Sequence, residues 1–499
     1  MDIQMKRVVT RSAVICLVAS LSAGSLFAQV DFTRYVAIGD SLTMAVSSAG
    51  VVETIQRQSY PLLIKEQASG AGSEFEQPLA GLPGVPPPLK LRGLNPLILT
   101  PDAGLGDLIN VLLPRPYDNL GVSGANVFDT VNTITDFGGA HDVVLRGLGT
   151  ALEQAVSLSP TFATVWIGNN DVLGAATTGL VIDGVTLTLL DDFEADYRTV
   201  VSTLAGTGAQ LAVATIPSVT AIPFVTTLPP VLVDPATNEP VIVGGATVPL
   251  IGPDGPLSLA DKVLLTASEL LAVGTGIPVE FGGSGVPLPD EVVLDAGEVS
   301  AITNRLNAFN DVIRTVANEN NAALMDANAI FDDIVAHGVE VAGVEYTAEF
   351  LTGGIFSYDG VHATAFGYAL VANFFIEAIN AHFGSEIPAA DLLSQVFGAQ
   401  RLSQQSAASG SFIFTKKADK RLRYMLGMPS KKALRKMKRQ LSEPPSDDGT
   451  PPDDTILITP PGAQDEDLRS ADPAAPASAP VERHDDRGGR GGAGRRILR

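Results

Sequence analysis

The sequence has almost no cysteine, few aromatic residues and a deficit of basic side chains. Its only cysteine among 499 residues is Cys16, so no disulfide framework, cysteine nucleophile or thiolate metal site is expected in the mature chain. Residues 31–414 carry 12 Lys and Arg against 41 Asp and Glu, a net charge of −29. Because phosphate binding needs clustered cations, this acidic body argues against nucleic acid as the main partner.

Long apolar runs are also missing once the N-terminus is passed. Residues 1–28 combine basic Lys6, Arg7 and Arg11 with the apolar stretch "AVICLVASLSAGSLFA", which is typical of a secretory signal peptide. The remaining sequence contains no uninterrupted apolar 20-mer of the kind that a membrane span requires. We therefore predict that the protein is exported and is periplasmic or extracellular.

Charge and composition change after the acidic body. Residues 386–440 are predicted to be a linker followed by a basic amphipathic segment, since residues 415–440 carry 11 basic side chains against Asp419 alone. Residues 441–499 are rich in Pro, Asp, Gly and Arg and are predicted to be disordered. The segment Lys416–Arg439 could contact an anionic membrane, a cell-wall polymer or the acidic body of this same chain, and the sequence leaves these alternatives and the oligomeric state open.

Short apolar runs, each followed by a turn-forming or polar residue, predict strands that are buried on both faces, as in a parallel sheet covered by helices. The clearest runs are "YVAI" (35–38), "FATVWI" (162–167), "QLAVATI" (210–216) and "AALM" (322–325), with a shorter one at Tyr117–Val122.

Apolar residues at three- and four-residue steps predict amphipathic helices between these strands. The three stripes lie within residues 193–204, 299–316 and 369–379, and Asp295 with Glu298 predicts a capping pair at the start of the second. The alternation of strands and helices favours an α/β doubly wound fold with right-handed crossovers.

Two insertions interrupt this rhythm within the predicted domain of residues 31–385. Residues 68–116 are rich in Pro, Gly and Leu, and residues 225–294 include a predicted hairpin that turns at Asp234–Asn238. Loops of this length in a compact domain often form lids or binding walls, although they could also be decorative packing.

Four polar blocks come after predicted strands, the last of them after "AALM" and immediately before a helix. They are "GDSL" (39–42), "NLGVSGAN" (119–126), "GNND" (168–171) and "DGVH" (359–362). In a doubly wound sheet the carboxyl ends of the strands line one crevice, where ligands bind. We therefore expect the four blocks to form a single site.

The residue types in these blocks suit acyl transfer, which needs a nucleophile, a base, a group that orients the base and donors for an oxyanion. Ser41 can be the nucleophile, His362 the base and Asp359 the group that orients it. Asn170 offers a side-chain amide and Gly124 an unobstructed backbone N–H. With the N–H of Ser41, these groups would make three oxyanion donors.

Each of these residues also has a purely structural interpretation. Ser41 could cap a helix, Gly124 could only turn the chain, and "NND" could form an Asx turn. His362 could be a satisfied histidine at the start of a helix. The signals are weak one by one, and their common order and strand context favour the catalytic interpretation.

Together, the blocks "GDSLT", "NLGVSGAN", "GNND" and "DGVH" resemble those of the GDSL-type SGNH hydrolases over about residues 33–382. The resemblance implies a flavodoxin-like three-layer α/β/α fold with a central five-stranded parallel sheet, here with two long insertions. It also implies carboxylic ester hydrolysis by Ser41, His362 and Asp359, with Ser41, Gly124 and Asn170 at the oxyanion-hole positions. No metal and no cofactor is expected for this chemistry.

We therefore predict a secreted serine esterase or lipase that cleaves small-molecule or lipid esters through an acyl-enzyme. The insertions are aliphatic, which favours an apolar acyl group. An alternative is an O-deacetylase of acetylated xylan or another glycan, but such a groove is usually aromatic, and the chain has 6% aromatic residues and one Trp. A third hypothesis is a non-catalytic surface-binding protein, which would have no need for Ser41, His362 and Asp359 together.

Overall fold

The computed structural model describes residues 30–93, 96–235, 237–395 and 412–442. The predicted signal peptide lies outside the described residues, as does the predicted disordered tail from residue 443 onward. Residues 441 and 442 were expected in that tail, but they are helical, because the last described helix continues to Ser442.

The strands and helices of these residues are numbered in chain order. The strands are β1 (Tyr35–Gly39), β2 (Leu89–Arg92), β3 (Leu97–Pro101), β4 (Asn119–Gly121), β5 (Phe162–Trp166), β6 (Gln210–Ala214), β7 (Ile242–Val243), β8 (Ala246–Thr247), β9 (Ile251–Gly252), β10 (Gly255–Pro256), β11 (Lys262–Val263), β12 (Val293–Leu294), β13 (Ala323–Met325), β14 (Val339–Val341), β15 (Val344–Tyr346) and β16 (Phe412–Phe414). The α-helices are α1 (Ser41–Met44), α2 (Glu53–Gln56), α3 (Tyr60–Ser69), α4 (Val127–Asn132), α5 (Ala140–Leu145), α6 (Ala151–Ser157), α7 (Asn170–Thr178), α8 (Leu190–Gly206), α9 (Pro223–Thr226), α10 (Ser268–Leu271), α11 (Ala296–Glu319), α12 (Ala327–His337), α13 (Ala365–Phe383), α14 (Leu392–Gln395), α15 (Lys416–Met425) and α16 (Lys431–Ser442).

The five predicted strands form one parallel sheet in the order β13-β6-β5-β1-β4. Every residue of β1, β4 and β5 is buried, as the continuous apolar runs predict. The chain winds in opposite directions on the two sides of β1 and β5, so the crevice expected of a doubly wound sheet lies at the carboxyl ends of these two strands. The predicted α/β fold with a central five-stranded parallel sheet is confirmed.

Side chains of the sheet alternate between two apolar cores, because successive residues of a strand point to opposite faces. In β1, Val36 and Ile38 enter one core, with residues of α8 and α11. Tyr35 and Ala37 enter the other, with residues of α3 and α13. The sheet is therefore the middle layer of three.

The three predicted helical stripes lie in α8, α11 and α13. At the start of α11 the predicted capping pair is present in both directions. The Glu298 N–H donates to Oδ1 of Asp295 (2.8 Å), and the Asp295 N–H donates to Oε2 of Glu298 (3.2 Å). None of the helices in the described part of the chain has the length and apolar content needed to cross a bilayer.

The two insertions form small sheets and turns at the edge of the domain. In the first insertion, β2 and β3 make an antiparallel hairpin. In the second, the predicted turn at Asp234–Asn238 reverses the chain, and Val233 bridges Pro240 in antiparallel orientation. The second insertion also contains β7 to β12, α10 and three turns of 3-10 helix.

Residues 412–442, here named the C-terminal strap, pack against this body. Strand β16 joins β3 in parallel and extends the hairpin to three strands. Two basic side chains of α16 form ion pairs with acidic residues of the body: Arg435 binds Glu291, and Lys438 binds Asp290. The basic segment therefore contacts the acidic body of the same chain, which is one of the three alternatives that the sequence left open. Its contact with a membrane or a cell-wall polymer stays a prediction.

Candidate active site

Ser41 lies at the junction of β1 and α1, and it is not the residue that caps the helix. Asp40 is the N-cap: its Oδ1 accepts a hydrogen bond from the Leu42 N–H at 2.9 Å. Ser41 is the first helical residue and is 3% exposed. Because α1 is a single turn, its N-terminus supplies little positive field to the Ser41 N–H. The capping interpretation of Ser41 is therefore wrong, and its hydroxyl is not used for that role.

Asp359 and His362 form a buried pair in the loop before α13. Nδ1 of His362 lies 2.7 Å from Oδ2 of Asp359, and both side chains are essentially inaccessible. Oδ1 of Asp359 accepts from the backbone N–H groups of Val361 (2.9 Å) and His362 (2.8 Å). Burial raises the pKa of Asp359, but the adjacent imidazole and these hydrogen bonds outweigh it and hold the pKa below its ordinary value. The carboxylate therefore orients the imidazole.

The loop that follows Ser41 is bonded directly to the loop that carries this pair. The Ala49 N–H donates to Oδ2 of Asp359 (2.5 Å), and the Ser48 N–H donates to Oγ of Ser357 (2.7 Å). The Tyr358 N–H donates in turn to Oγ of Ser48 (3.1 Å). The first and last of the four blocks thus meet at one edge of the sheet, as the strand order predicts.

Gly124 and Asn170 come together beside this edge. Nδ2 of Asn170 donates to the backbone carbonyl of Ala125 at 2.8 Å, which places the asparagine block against the glycine block. Gly124 has φ +84°, a conformation that disfavours any side chain. Since a primary amide has two N–H groups, the bond to Ala125 leaves one for another acceptor.

Two residues that the sequence analysis did not select connect the blocks to each other. Nδ2 of Asn169 donates to Oδ2 of Asp40 at 2.8 Å, and the Val127 N–H donates to Oδ2 of Asp171 at 3.1 Å. With the bond from Asn170 to Ala125, three consecutive side chains therefore bind two segments, the Ser41 loop and the glycine block with the residue after it. The signal was present in "GNND", but composition alone does not show where each side chain points.

Burial raises the pKa of two carboxyl groups in these contacts, those of Asp40 and Asp171. It raises the pKa of Asp40 to about 6, against hydrogen bonds from Asn169 and the Leu42 N–H. It raises the pKa of Asp171 to about 7, against hydrogen bonds from the Thr188 side chain and the Val127 N–H. Within the same residues, no group of three or more His, Cys, Asp or Glu is placed to hold a metal ion.

The raised pKa of Asp171 predicts a pH-dependent contribution to stability. Because the folded state binds this proton more tightly than the unfolded state does, the group stabilises the fold. The stabilisation is complete below the unfolded pKa of about 3.9 and is lost as the pH rises through about 7. Asp171→Asn removes this titration, so the unfolding free energy of the variant should fall less than that of the wild type between pH 5 and pH 8. We expect a difference on the order of 1 kcal/mol or more in urea unfolding. Parallel pH profiles for the two proteins would contradict it.

An apolar cavity of about 110 Å³ adjoins the loops that carry Ser41 and His362. Leu42, which follows Ser41, lines it together with Val361 and Ala363, which flank His362. Its far wall is formed by apolar residues of α12 and α13. A chain of methylene groups could be buried here beside the candidate nucleophile.

Comparison with known proteins gives a family for this arrangement. The family model "GDSL-like Lipase/Acylhydrolase" matches residues 35–375, which include all four blocks. An acetylxylan esterase from Geobacillus stearothermophilus aligns with 13% identity over 73% of this chain and 100% of its own, at a TM-score of 0.33. An α/β hydrolase from the metagenome of Lake Arreo, Spain, aligns with 15% identity over 70% of this chain and 94% of its own, at a TM-score of 0.31. No curated protein matches the chain.

Proposed function

The chain belongs to the GDSL-like lipase and acylhydrolase family, and from that membership we propose that it cleaves carboxylic esters through an acyl-enzyme on Ser41. Oγ of Ser41 adds to the ester carbonyl carbon while Nε2 of His362 takes its proton, and Asp359 stabilises the resulting imidazolium. The oxyanion accepts hydrogen bonds from the N–H groups of Ser41 and Gly124 and from the second amide N–H of Asn170. The alcohol leaves with the proton from His362. Water then attacks the acyl-enzyme by the same steps and restores Ser41.

The observation that carries this proposal is the state of His362. Its Nδ1 is bound to the Asp359 carboxylate, whereas its Nε2 is buried and has no hydrogen-bond partner in the described residues. His141 has the same state, with Nδ1 beside Asp136 and a buried, open Nε2, so the open nitrogen alone does not mark a base. What distinguishes His362 is that its loop is bonded to the loop that follows Ser41. An open acceptor on an oriented imidazole is what a general base requires.

Covalent labelling tests whether Ser41 is activated. A fluorophosphonate probe should form a stoichiometric adduct on Ser41, because the reagent reacts with a serine only when a neighbouring base removes its proton. Peptide mapping by mass spectrometry should locate the adduct and should find Ser47 and Ser48, in the same loop, unmodified. Labelling no faster than at these two serines would contradict the proposal and would favour the surface-binding alternative.

The apolar cavity supports an apolar acyl group as the preferred substrate moiety. Leu42, Val361 and Ala363 line it and flank the candidate nucleophile and base, so the alkyl chain of an acyl group on Ser41 would enter it while the carbonyl stays at the oxyanion donors. Each methylene that is removed from water contributes about 0.8 kcal/mol, so a chain of several carbons would be clearly preferred over acetate.

Filling the cavity should change the preferred chain length. Ala327 lines the cavity near the start of α12, and Ala327→Leu adds three heavy atoms there. We expect kcat/KM for p-nitrophenyl hexanoate to fall about tenfold and that for the acetate to change less than about twofold. Ala329→Leu, on the exposed side of the same helix, is the matched control and should leave the ratio unchanged.

Two outcomes would redirect the acyl-chain assignment. An unchanged hexanoate-to-acetate ratio in Ala327→Leu would show that the acyl chain lies elsewhere. Faster release of acetate from acetylated xylan than of longer acids from their esters would favour the deacetylase alternative.

We also infer that the enzyme acts outside the cytoplasm. The basic and apolar character of residues 1–28 supports export. N-terminal sequencing of the cell-free or periplasmic protein should find a chain that begins shortly after Ala28, and a cytoplasmic protein that retains Met1 would contradict the inference.

A further inference from the structure

The turn at residues 425–428 of the C-terminal strap packs on the glycine block. A Cβ atom placed on Gly124 would lie 2.6 Å from the backbone nitrogen of Gly427, so the two backbones are in direct contact. The Ser123 hydroxyl donates to the carbonyl of Met425. The strap therefore touches the residue whose N–H is a candidate oxyanion donor.

The same turn also reaches the asparagine block. A Cβ atom placed on Gly174 would lie 3.0 Å from Sδ of Met428. Gly174 lies about one turn after Asn170 in α7, so residues 425–428 span both segments that carry the candidate oxyanion donors outside the Ser41 loop.

The beginning of the strap lies on the histidine side of the crevice. Phe414 is 1% exposed, and its ring lies edge-on to that of Phe224 with centroids 6.1 Å apart. The Phe224 N–H donates to the carbonyl of Gly360 at 2.9 Å, within the block that carries His362. The strap is thus anchored on both sides of the crevice.

With the strap in this position the reacting residues are nearly buried. Ser41 is 3%, Asn170 6% and His362 0% exposed. An ester carbonyl must approach the Ser41 hydroxyl directly, and the segments around it leave little room for that approach.

The last helix of the strap has the weakest attachment. Among the side chains of α16 whose burial the structure describes, Leu434 and Met437 are the buried ones, and they pack against Leu180 and Ile182. Ion pairs from Arg435 and Lys438 to acidic residues of the second insertion also attach this helix, and they remain partly exposed to water. By contrast, α15 and the residue after it bury Leu422, Met425 and Leu426 in the main core. The exposed ion pairs make α16 and the residues from Gly427 onward the part that can lift, while Met425 and Leu426 stay in the core. Gly427, with φ +64°, lies at the boundary between the two parts.

We propose that the C-terminal strap is an autoinhibitory cover, held over the crevice by a basic latch on α16. When the latch is closed, Gly427 and Met428 keep substrate from the candidate oxyanion wall. When α16 detaches, these two residues lift, Met425 and Leu426 stay in the core, and the site opens. This proposal rests on the proposed ester hydrolysis, since opening is defined by access to Ser41.

Charge reversal tests the latch on the full-length protein. Arg435→Glu with Lys438→Glu sets like charges against Glu291 and Asp290, and we expect kcat/KM for p-nitrophenyl butyrate to rise about tenfold at about 10 mM salt. Trypsin should cut within the strap faster in the same variant. Adding Asp290→Lys and Glu291→Lys restores opposite charges and should return both rates toward those of the wild type.

The matched control reverses charges that face solvent on the same helix. Lys432→Glu with Lys436→Glu changes the net charge equally and should alter neither rate by more than about twofold, because both side chains are exposed. Raising NaCl to about 0.5 M should accelerate the wild type and leave the latch variant nearly unchanged, since salt screens exposed ion pairs.

The two measurements separate failure of the cover from failure of the proposed function. Faster trypsin cleavage with an unchanged ester rate would overturn the cover, and unchanged cleavage in the latch variant would overturn the ionic latch. Absence of ester hydrolysis in every variant, including one whose strap is cleaved faster, would overturn the proposed function itself.

Discussion

Ser41→Ala is expected to lower kcat for p-nitrophenyl esters by about five to six orders of magnitude, because the acyl-enzyme cannot form without the hydroxyl. The backbone should not change, since the hydroxyl is not the cap of α1 and Asp40 supplies that bond. The residual rate reports what the oxyanion donors and the buried crevice contribute without a nucleophile. Steady-state kinetics and the melting temperature of the variant check both parts of this expectation.

Ser47→Ala is the matched control for this experiment. Ser47 lies in the same loop and is 2% exposed, and its hydroxyl has no hydrogen-bond partner in the described residues. The same atom is removed from a similar environment, so activity should stay within about twofold of the wild type. Equal activity of Ser41→Ala and Ser47→Ala would remove Ser41 from the mechanism.

Asp359→Asn has the second largest expected effect, a fall in kcat of about 10⁴-fold. An amide opposite Nδ1 favours the imidazole tautomer whose Nε2 carries the proton, and such a nitrogen cannot accept the proton of Ser41. In the wild type the Ala49 N–H donates to the Asp359 carboxylate. The substitution sets an NH₂ group against that N–H, so two donors face each other. A loss of stability of about 1–3 kcal/mol should accompany the loss of activity.

The melting temperature therefore has to be measured beside the kinetics. A matched control is Asp136→Asn, because Oδ2 of Asp136 lies 3.2 Å from Nδ1 of His141 at a histidine–carboxylate pair outside the four blocks. That variant should retain ester hydrolysis within a few fold. A comparable loss of activity in both variants would show that general destabilisation, and not the tautomer of His362, is responsible.

Patterns of apolar residues predicted the layers of this fold, because each pattern reflects which faces of a single strand or helix are buried. The apolar runs of β1, β4, β5, β6 and β13 are continuous, since both faces of the sheet are covered. The stripe of α11 repeats at helical spacing because one side faces the sheet, and its capping pair lies at the boundary that the sequence predicts. Periodicity of this kind depends only on neighbours in the chain.

The convergence of the first three blocks also follows from a rule about chain direction. Strands that run in parallel end at the same edge, so residues after β1, β4 and β5 are brought together wherever they lie in the sequence. The pairing of Asp359 with His362 was similarly accessible, because only three positions separate them. The bonds of Asn169 and Asp171 could not be predicted in this way, because their partners, Asp40 and Val127, lie far from them in the sequence.

The sequence by itself determined the five strands of the central sheet, three of the helices, the choice of candidate site residues and the acidic character of the body. Only the tertiary structure decided that Asp40 caps α1, that a cavity lies beside His362, and that residues 412–442 cover the glycine block. The physical reason is distance along the chain. Gly124 and Gly427 are in contact through their backbones although they lie far apart in the sequence. The side chains near either residue therefore give no pattern from which this contact could be predicted.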